Sequence, residues 1–302
     1  MSMPLVCALV GATGAGKTEL ALALAERLRA EIISCDSCQV YKGFSIGTSQ
    51  PPAEDLARVP HHLVNFLSPE RRYSAGTFCG DVKKLLTMNL NTNYILVGGT
   101  GLYLQALTEG LADIPPVEDK IREKFAARLA SGGLPALYRE ALQVDPAAGE
   151  FLLPQDSQRI LRTLELYAQT GSRFSDLRKM RRGGIGPVKT FWLSRERTNL
   201  YSLIDERVLK MVRAGWPDEV RLLRKSVPPD APAWQSLGYK EWVECLNGEK
   251  TRKDVISFVQ QATRRYAKRQ ITWFRHQIAA EILDAEAPQD LKINKICAIL
   301  SA

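Results

Sequence analysis

Residues Gly11-Ala-Thr-Gly-Ala-Gly-Lys-Thr18 fit the pattern Gly-x-x-x-x-Gly-Lys-Ser/Thr without a mismatch. The run follows a continuous apolar stretch, 4–10, and opens the helical pattern of Leu20, Leu24 and Leu28. A strand, a glycine-rich loop and a helix in that order form a phosphate loop. The backbone of Gly11, Ala12, Thr13, Gly14, Ala15 and Gly16 can wrap closely around an anion, and the helix N-terminus points at it. Lys17 supplies a positive charge for phosphate oxygens, and the Thr18 hydroxyl is placed to bind Mg²⁺. The loop alone says that a diphosphate or triphosphate is bound.

The rest of the chain extends this start into an α/β fold, a P-loop NTPase-like parallel sheet core. Apolar β-branched runs at 31–34 and 94–97 read as further buried strands, and 73–90 reads as a helix. After Asp113-Ile-Pro-Pro116 the pattern changes to successive helices over 117–130, 135–143 and 156–170. A strand pattern returns at 188–193, and the remainder is mostly helical, with its longest helix over about 251–278. The expected organisation is a catalytic core of 1–115 and 188–302, with a basic helical C-terminal part. A helical segment, 116–187, is inserted into it.

Of 302 residues, 45% are hydrophobic and 25% charged, and no apolar run reaches the ~20 residues of a membrane span. The first ten residues lack a basic start and run straight into the loop, which suits a first strand rather than a signal peptide. The six cysteines are too few and too scattered for a disulfide framework. Cys35 and Cys38 lack the second ligand pair of a zinc site, so a reduced, cytoplasmic protein is expected. The net charge of +8 is uneven: residues 1–150 hold 14 Lys and Arg against 16 Asp and Glu, and residues 151–302 hold 27 against 17. A polyanion partner such as nucleic acid, or a solubilising basic face, accounts for that excess.

The strand at 94–97 ends in Gly-Gly-Thr100 with no acid. Common nucleotide hydrolases hold Mg²⁺ with an Asp at such a strand end, so ordinary hydrolysis is disfavoured. Asp36 follows the second strand, on the sheet edge where ligands bind. It is read either as a general base or Mg²⁺ ligand, or as an N-cap for 37–41.

Asp36-Ser-Cys-Gln-Val-Tyr41 resembles the Asp-Ser-x-Gln-Val-Tyr motif of tRNA dimethylallyltransferases, also called tRNA isopentenyltransferases. Pro60-His-His-Leu63, Val97-Gly-Gly-Thr-Gly-Leu-Tyr103, Asp156-x-Gln-Arg159 and Gly238-Tyr-Lys-Glu241 follow in the family's order. So do Arg207 before Met211 and Tyr266-Ala-Lys-Arg-Gln-x-Thr-Trp-Phe-Arg275. The chain departs from the family in its loop spelling, at Gln50 where Lys is common, and at Asn65 where Asp is common.

The resemblance implies transfer of a dimethylallyl group from dimethylallyl diphosphate to N6 of the adenosine just 3′ of the anticodon. It assigns catalysis to Asp36, Thr13 and Arg207, with Mg²⁺ held by Thr18. It places tRNA contacts at Asp36, Ser37, Cys38, Gln39, Thr100 and Arg122. Further contacts are implied at Gln158, Arg159, Ile160, Leu161 and Arg162, and at Gln235, Ser236, Leu237, Gly238, Tyr239 and Lys240. The expected partners are the tRNA anticodon stem-loop and dimethylallyl diphosphate, with no membrane and a monomeric chain. An adenylate dimethylallyltransferase, a small-molecule kinase and a non-catalytic RNA-binding protein are the rival classes.

Overall fold

The structure, a computed structural model, describes residues 5–302 apart from Asp113. The expected strand start at Pro4 and the change of pattern at Asp113 lie outside the described residues.

β1 (Leu5–Gly11) leads through the glycine-rich loop into α1 (Lys17–Leu28), and β2 (Ala30–Cys35) follows. α2 (Ala53–Arg58) and the short β3 (His61–His62) precede α3 (Ala75–Met88), β4 (Asn93–Gly98) and α4 (Gly101–Glu109). β5 (Gly110–Ala112), α5 (Asp119–Gly132), α6 (Leu134–Val144), α7 (Ser157–Thr170), α8 (Phe174–Leu177) and β6 (Arg181–Gly183) come next. The chain ends with β7 (Thr190–Ser194), α9 (Arg197–Arg213), α10 (Trp216–Leu223), α11 (Tyr239–Leu246), α12 (Arg252–Gln277), β8 (Glu281–Asp284) and α13 (Gln289–Ser301).

Contacts divide the chain into two compact units, one running to Ala106 and resuming over Pro187–Ala302, the other Leu107–Gly186. The first is built on a parallel six-stranded sheet of order β3-β2-β4-β1-β7-β8. Residues 7–10 of β1, Ile32 and Ile33 of β2 and residues 94–96 of β4 are buried between neighbouring strands and covering helices. From β1 the chain crosses to β2 on one side and later returns to β7 on the other. That reversal makes a crevice at the carboxyl ends of the strands, where the glycine-rich loop stands.

Apolar clusters among the described residues support this unit. Leu9, Leu20, Leu24, Ile95 and Phe191 join the sheet to α1, and Ile204 and Ala267 bring in α9 and α12. Another holds Phe44, Trp216, Trp234, Tyr239 and Trp242. Within it the Glu219 carboxylate accepts the Ser45 amide at 3.0 Å, the Ile46 amide at 2.7 Å and the Tyr239 hydroxyl at 2.6 Å. Tyr239 in turn accepts the Gly47 amide at 3.1 Å. A Cβ on Gly47 would lie 2.3 Å from the Trp216 ring, so only glycine lets the 45–50 loop close on this cluster.

The second unit packs α5, α6 and α7 around Phe125, Leu137, Ala141, Ile160 and Leu164. α7 starts on Asp156, whose side chain accepts the Arg159 amide at 3.1 Å, and stops at Gly171 in the left-handed region, φ 68°. β5 and β6 pair antiparallel, Gly110 opposite Gly183, and so close the two ends of the segment. This pairing is why the unit begins at Leu107, earlier than the border expected at 116.

Glu219→Ala leaves two backbone amides and a buried phenol without their acceptor. We expect it to cost about 3 kcal/mol of stability, read as a lower urea midpoint, with Glu219→Gln recovering part of the loss.

Candidate active site

A cleft of 560 Å³ opens at the carboxyl ends of β1, β2 and β4. Thr13, Gly14, Gly16, Lys17 and Thr18 form one wall, and Asp36 and Gln39 another; Arg207 and Tyr266 reach in from α9 and α12. Gly14 and Gly16 hold φ of 81° and 95°, the left-handed conformation the loop needs to curl.

Lys17 donates to the carbonyls of Gly11 at 2.9 Å and Ala12 at 2.8 Å. Burial lowers its pKa to about 8, and the Arg207 guanidinium adds to the effect while the Asp36 carboxylate opposes it. Arg207 is itself pushed down by burial and held up by Asp36. Its Nε donates to Ser49 Oγ at 3.2 Å. The two buried cations thus share with Asp36 a cleft that Arg195, Lys210, Glu19 and Glu206 also line, and a bound anion would offset the charge that Lys17 and Arg207 hold out of water.

Asp36 follows β2 and folds into a tight turn. Its Oδ1 accepts the amides of Cys38 at 2.8 Å and Gln39 at 3.2 Å, and among the described residues Oδ2 receives no hydrogen bond. One oxygen of Asp36 thus fixes a turn, with no helix starting at 37–41, while the carboxylate lines the cleft. Thr100 braces this turn, accepting the Ser37 amide at 3.2 Å. Tyr266 is hydrogen-bonded to the Thr100 side chain, and burial and the Asp36 charge raise its pKa, which keeps the phenol protonated.

Gln270 on α12 is a site residue that the sequence reading missed. It is buried, accepts the Thr13 amide at 2.9 Å and donates to the Gly99 carbonyl at 2.9 Å. The signal was present in its spacing, since Ala267, Gln270 and Phe274 share the buried stripe of a helix whose other faces are basic.

The expected tRNA residues fall into several environments. Gln39 lines the cleft, but its amide is committed to Ser34 Oγ at 2.8 Å and the Ser49 carbonyl at 2.7 Å. Gln50 donates to the carbonyls of Gln39 and Tyr41, both at 2.8 Å, so it stitches the same wall. Asn65 accepts the Gly43 amide at 3.0 Å with a left-handed φ of 51°, which Asn tolerates. Cys38 is half-buried, and its thiol is pushed up to about 11 by burial. Gln235, Leu237 and Lys240 are exposed, whereas Ser236, Gly238 and Tyr239 are buried, with Tyr239 inside the aromatic cluster. In the second unit Arg122, Gln158 and Arg159 are exposed, Leu161 and Arg162 are half-buried, and Ile160 is fully buried. The Ile160 and Tyr239 side chains serve packing. On α12, Arg265, Lys268, Arg269 and Arg275 are exposed, while Arg264 is tied to Asp205 of α9.

Comparison with known proteins now becomes specific. The model of a family described as IPP transferase matches residues 39–277. The chain belongs to the IPP transferase family. It is 39% identical over 285 residues to a tRNA dimethylallyltransferase of Bartonella tribocorum, covering 93% of this chain and 98% of that one. It is 40% identical over 285 residues to the tRNA dimethylallyltransferase of Geobacter sulfurreducens, covering 93% and 92%. Among solved structures it is similar to a tRNA isopentenylpyrophosphate transferase of Bacillus halodurans at 34% identity and TM-score 0.71, covering 99% of this chain and 96% of that one. A eukaryotic dimethylallyltransferase acting on tRNA matches at 28% identity and TM-score 0.77, covering 93% and 74%.

The depressed Lys17 pKa fixes a pH dependence. Between about 8 and the ordinary 10.5 the unfolded chain holds the Lys17 proton and the folded one does not, so this residue adds stability as pH rises through that window. Anion binding runs the other way, because it needs the charged amine. Inorganic diphosphate should bind progressively more weakly above pH 8, by up to about tenfold per pH unit, with proton uptake detectable by calorimetry in buffers of different ionisation enthalpy. Lys17→Ala should abolish that uptake.

Proposed function

We propose that the protein transfers the dimethylallyl group of dimethylallyl diphosphate to N6 of the adenosine 3′-adjacent to the anticodon in tRNA, releasing diphosphate. The supporting observation is the cleft of an IPP transferase family chain in which Lys17, Arg207 and Asp36 converge beside a phosphate loop. Curated relatives bear the name of that activity, and a tRNA acceptor puts the work in the cytoplasm.

The diphosphate lies on the loop backbone, with Lys17 and Arg207 against its oxygens. An adenine stacked in a tRNA loop is out of reach, so it is extruded into the cleft. Asp36, oriented by the Cys38 and Gln39 amides, accepts a proton from the exocyclic amine. N6 then forms its bond to C1 of the dimethylallyl group as the C1–O bond breaks and the electron pair departs on the diphosphate. Lys17 and Arg207 stabilise that growing charge. The Gln270 bridge to Thr13 holds the loop in register with the β4 end while this happens. The exposed second-unit residues Arg122, Gln158 and Arg159 and the basic face of α12 grip tRNA phosphates, which position the substrate without reading its sequence.

Thr18 lines the cleft and offers a hydroxyl oxygen, a donor that suits Mg²⁺. Among the described residues no cluster of three His, Cys, Asp or Glu side chains could hold a metal, so Thr18 is the residue that would hold the ion. When bound, Mg²⁺ supplies charge neutralisation at the leaving diphosphate.

The test is incubation with dimethylallyl diphosphate and either unmodified tRNA or AMP, followed by mass measurement of the acceptor. tRNA should gain the dimethylallyl mass, and modification of AMP alone would overturn the assignment. Asp36→Ala should keep diphosphate affinity and lose ~10²–10⁴ in single-turnover rate. A near-wild-type rate in that variant would remove Asp36 from the chemistry.

A further inference from the structure

A second cavity, of 250 Å³, is walled by the loop residues that the cleft does not use, Ala12 and Ala15. Its lining includes four cationic side chains, Arg195, Arg197, Lys268 and Arg275, together with Tyr201 and Thr272, and no carboxylate. The placement follows from helix periodicity. Lys268, Ile271, Thr272 and Arg275 form an i, i+3, i+4, i+7 stripe on α12, and Arg197, Leu200 and Tyr201 form an i, i+3, i+4 stripe on α9.

Little in the protein offsets this charge. Arg195 is paired with Glu286 at 3.7 Å, but its Nε is buried and has no hydrogen-bond partner among the described residues. A buried guanidinium donor left unmet is uncommon in a folded protein. Arg197 donates to the Tyr201 hydroxyl at 3.0 Å, with its guanidinium 5.2 Å from that ring's centre, so it is oriented without being neutralised. Lys268 and Arg275 are exposed at the rim, and no ion pair holds either among the described residues. Like charges gathered in one concavity raise the local affinity for an anion, and planar guanidinium groups suit phosphate oxygens best.

We propose that this cavity is a second phosphate site, separate from the phosphate loop, that binds a multiply charged phosphate group. Multiple negative charge is carried both by free inorganic diphosphate and by neighbouring phosphodiesters of a nucleic-acid backbone. Arg195 lines both cavities, so it stands between this site and the loop.

The experiment is calorimetric titration with inorganic diphosphate at low salt. Wild type should bind two equivalents, and Lys17→Ala should keep the second site. Adding Lys268→Ala and Arg275→Ala to Lys17→Ala should weaken the remaining binding by roughly tenfold or more. Lys268→Arg in the Lys17→Ala background should retain it. Circular dichroism melting of each variant separates a lost site from a lost fold, since both substituted positions are exposed. A single equivalent in wild type that disappears in Lys17→Ala would overturn the proposal. Residual binding that survives the triple substitution unchanged would overturn it too. In the Lys17→Ala protein, displacement of bound diphosphate by added tRNA identifies a backbone phosphate as the occupant, and simultaneous binding identifies a free anion. Both results support the site.

Discussion

The buried Gln270 amide ties the phosphate loop to the carboxyl end of β4. Gln270 accepts from Thr13 in the phosphate loop and donates to Gly99 at the end of β4, and 257 residues of chain separate it from Thr13. Both ends of the amide are satisfied, so its burial carries no unpaired polar atom, and the network it completes is stiff. The conformation of the loop is therefore set partly from outside the motif. An isolated glycine-rich strand–loop–helix would have its Thr13 amide free to rotate toward other acceptors. With α12 packed against α9, that amide has one partner.

Charge crowding in the cleft depends on the same scaffold. Lys17 and Arg207 are brought together by β1 and α9, and each lowers its own stability as a cation by leaving water. The fold meets that cost in advance, in packing that has nothing to do with the ligand. A diphosphate arriving there meets cations already in position, so little reorganisation is left for the moment of bond breaking. Asp36 is both a partial counterion to this pair and a group aimed into the cleft. The proposed role as a base is compatible with this electrostatic role because Oδ1 alone holds the turn.

Features encoded over short spans were legible in the sequence. The eight-residue loop, the helix behind it and the strands β1, β2 and β4 follow from contiguous pattern and spacing. Four strands were not: β3 has two residues, β5 and β6 have three each, and β8, Glu281–Asp284, buries only Leu283, so none shows a periodicity that a sequence window can register. Motif membership was a poor guide to side-chain direction. Gly238-Tyr-Lys stands together in the sequence, yet Tyr239 turns inward to Glu219 while Lys240 stays in water. Gln158 and Ile160, two apart on α7, likewise part between solvent and core. Burial depends on which helix face meets a neighbour, and that is settled by tertiary packing rather than by the motif.

The missing acid at the end of β4 has a steric origin that also bears on the chemistry. Gly98 is paired with Cys35 across β2 and β4, and an added Cβ there would lie 2.1 Å from the Cys35 carbonyl oxygen. A Cβ at Gly99 would lie 2.2 Å from Gln270 Nε2. The exit of β4 is thus closed to any side chain, including the Asp with which nucleotide hydrolases hold Mg²⁺. The carboxylate stands instead beyond β2, one strand farther from the loop, with the glycines between. The positions where such an acid would stand are filled by the Cys35 carbonyl and the Gln270 amide, so the packing that holds the phosphate loop in place also removes that acid, and Asp36 enters the cleft from beyond β2.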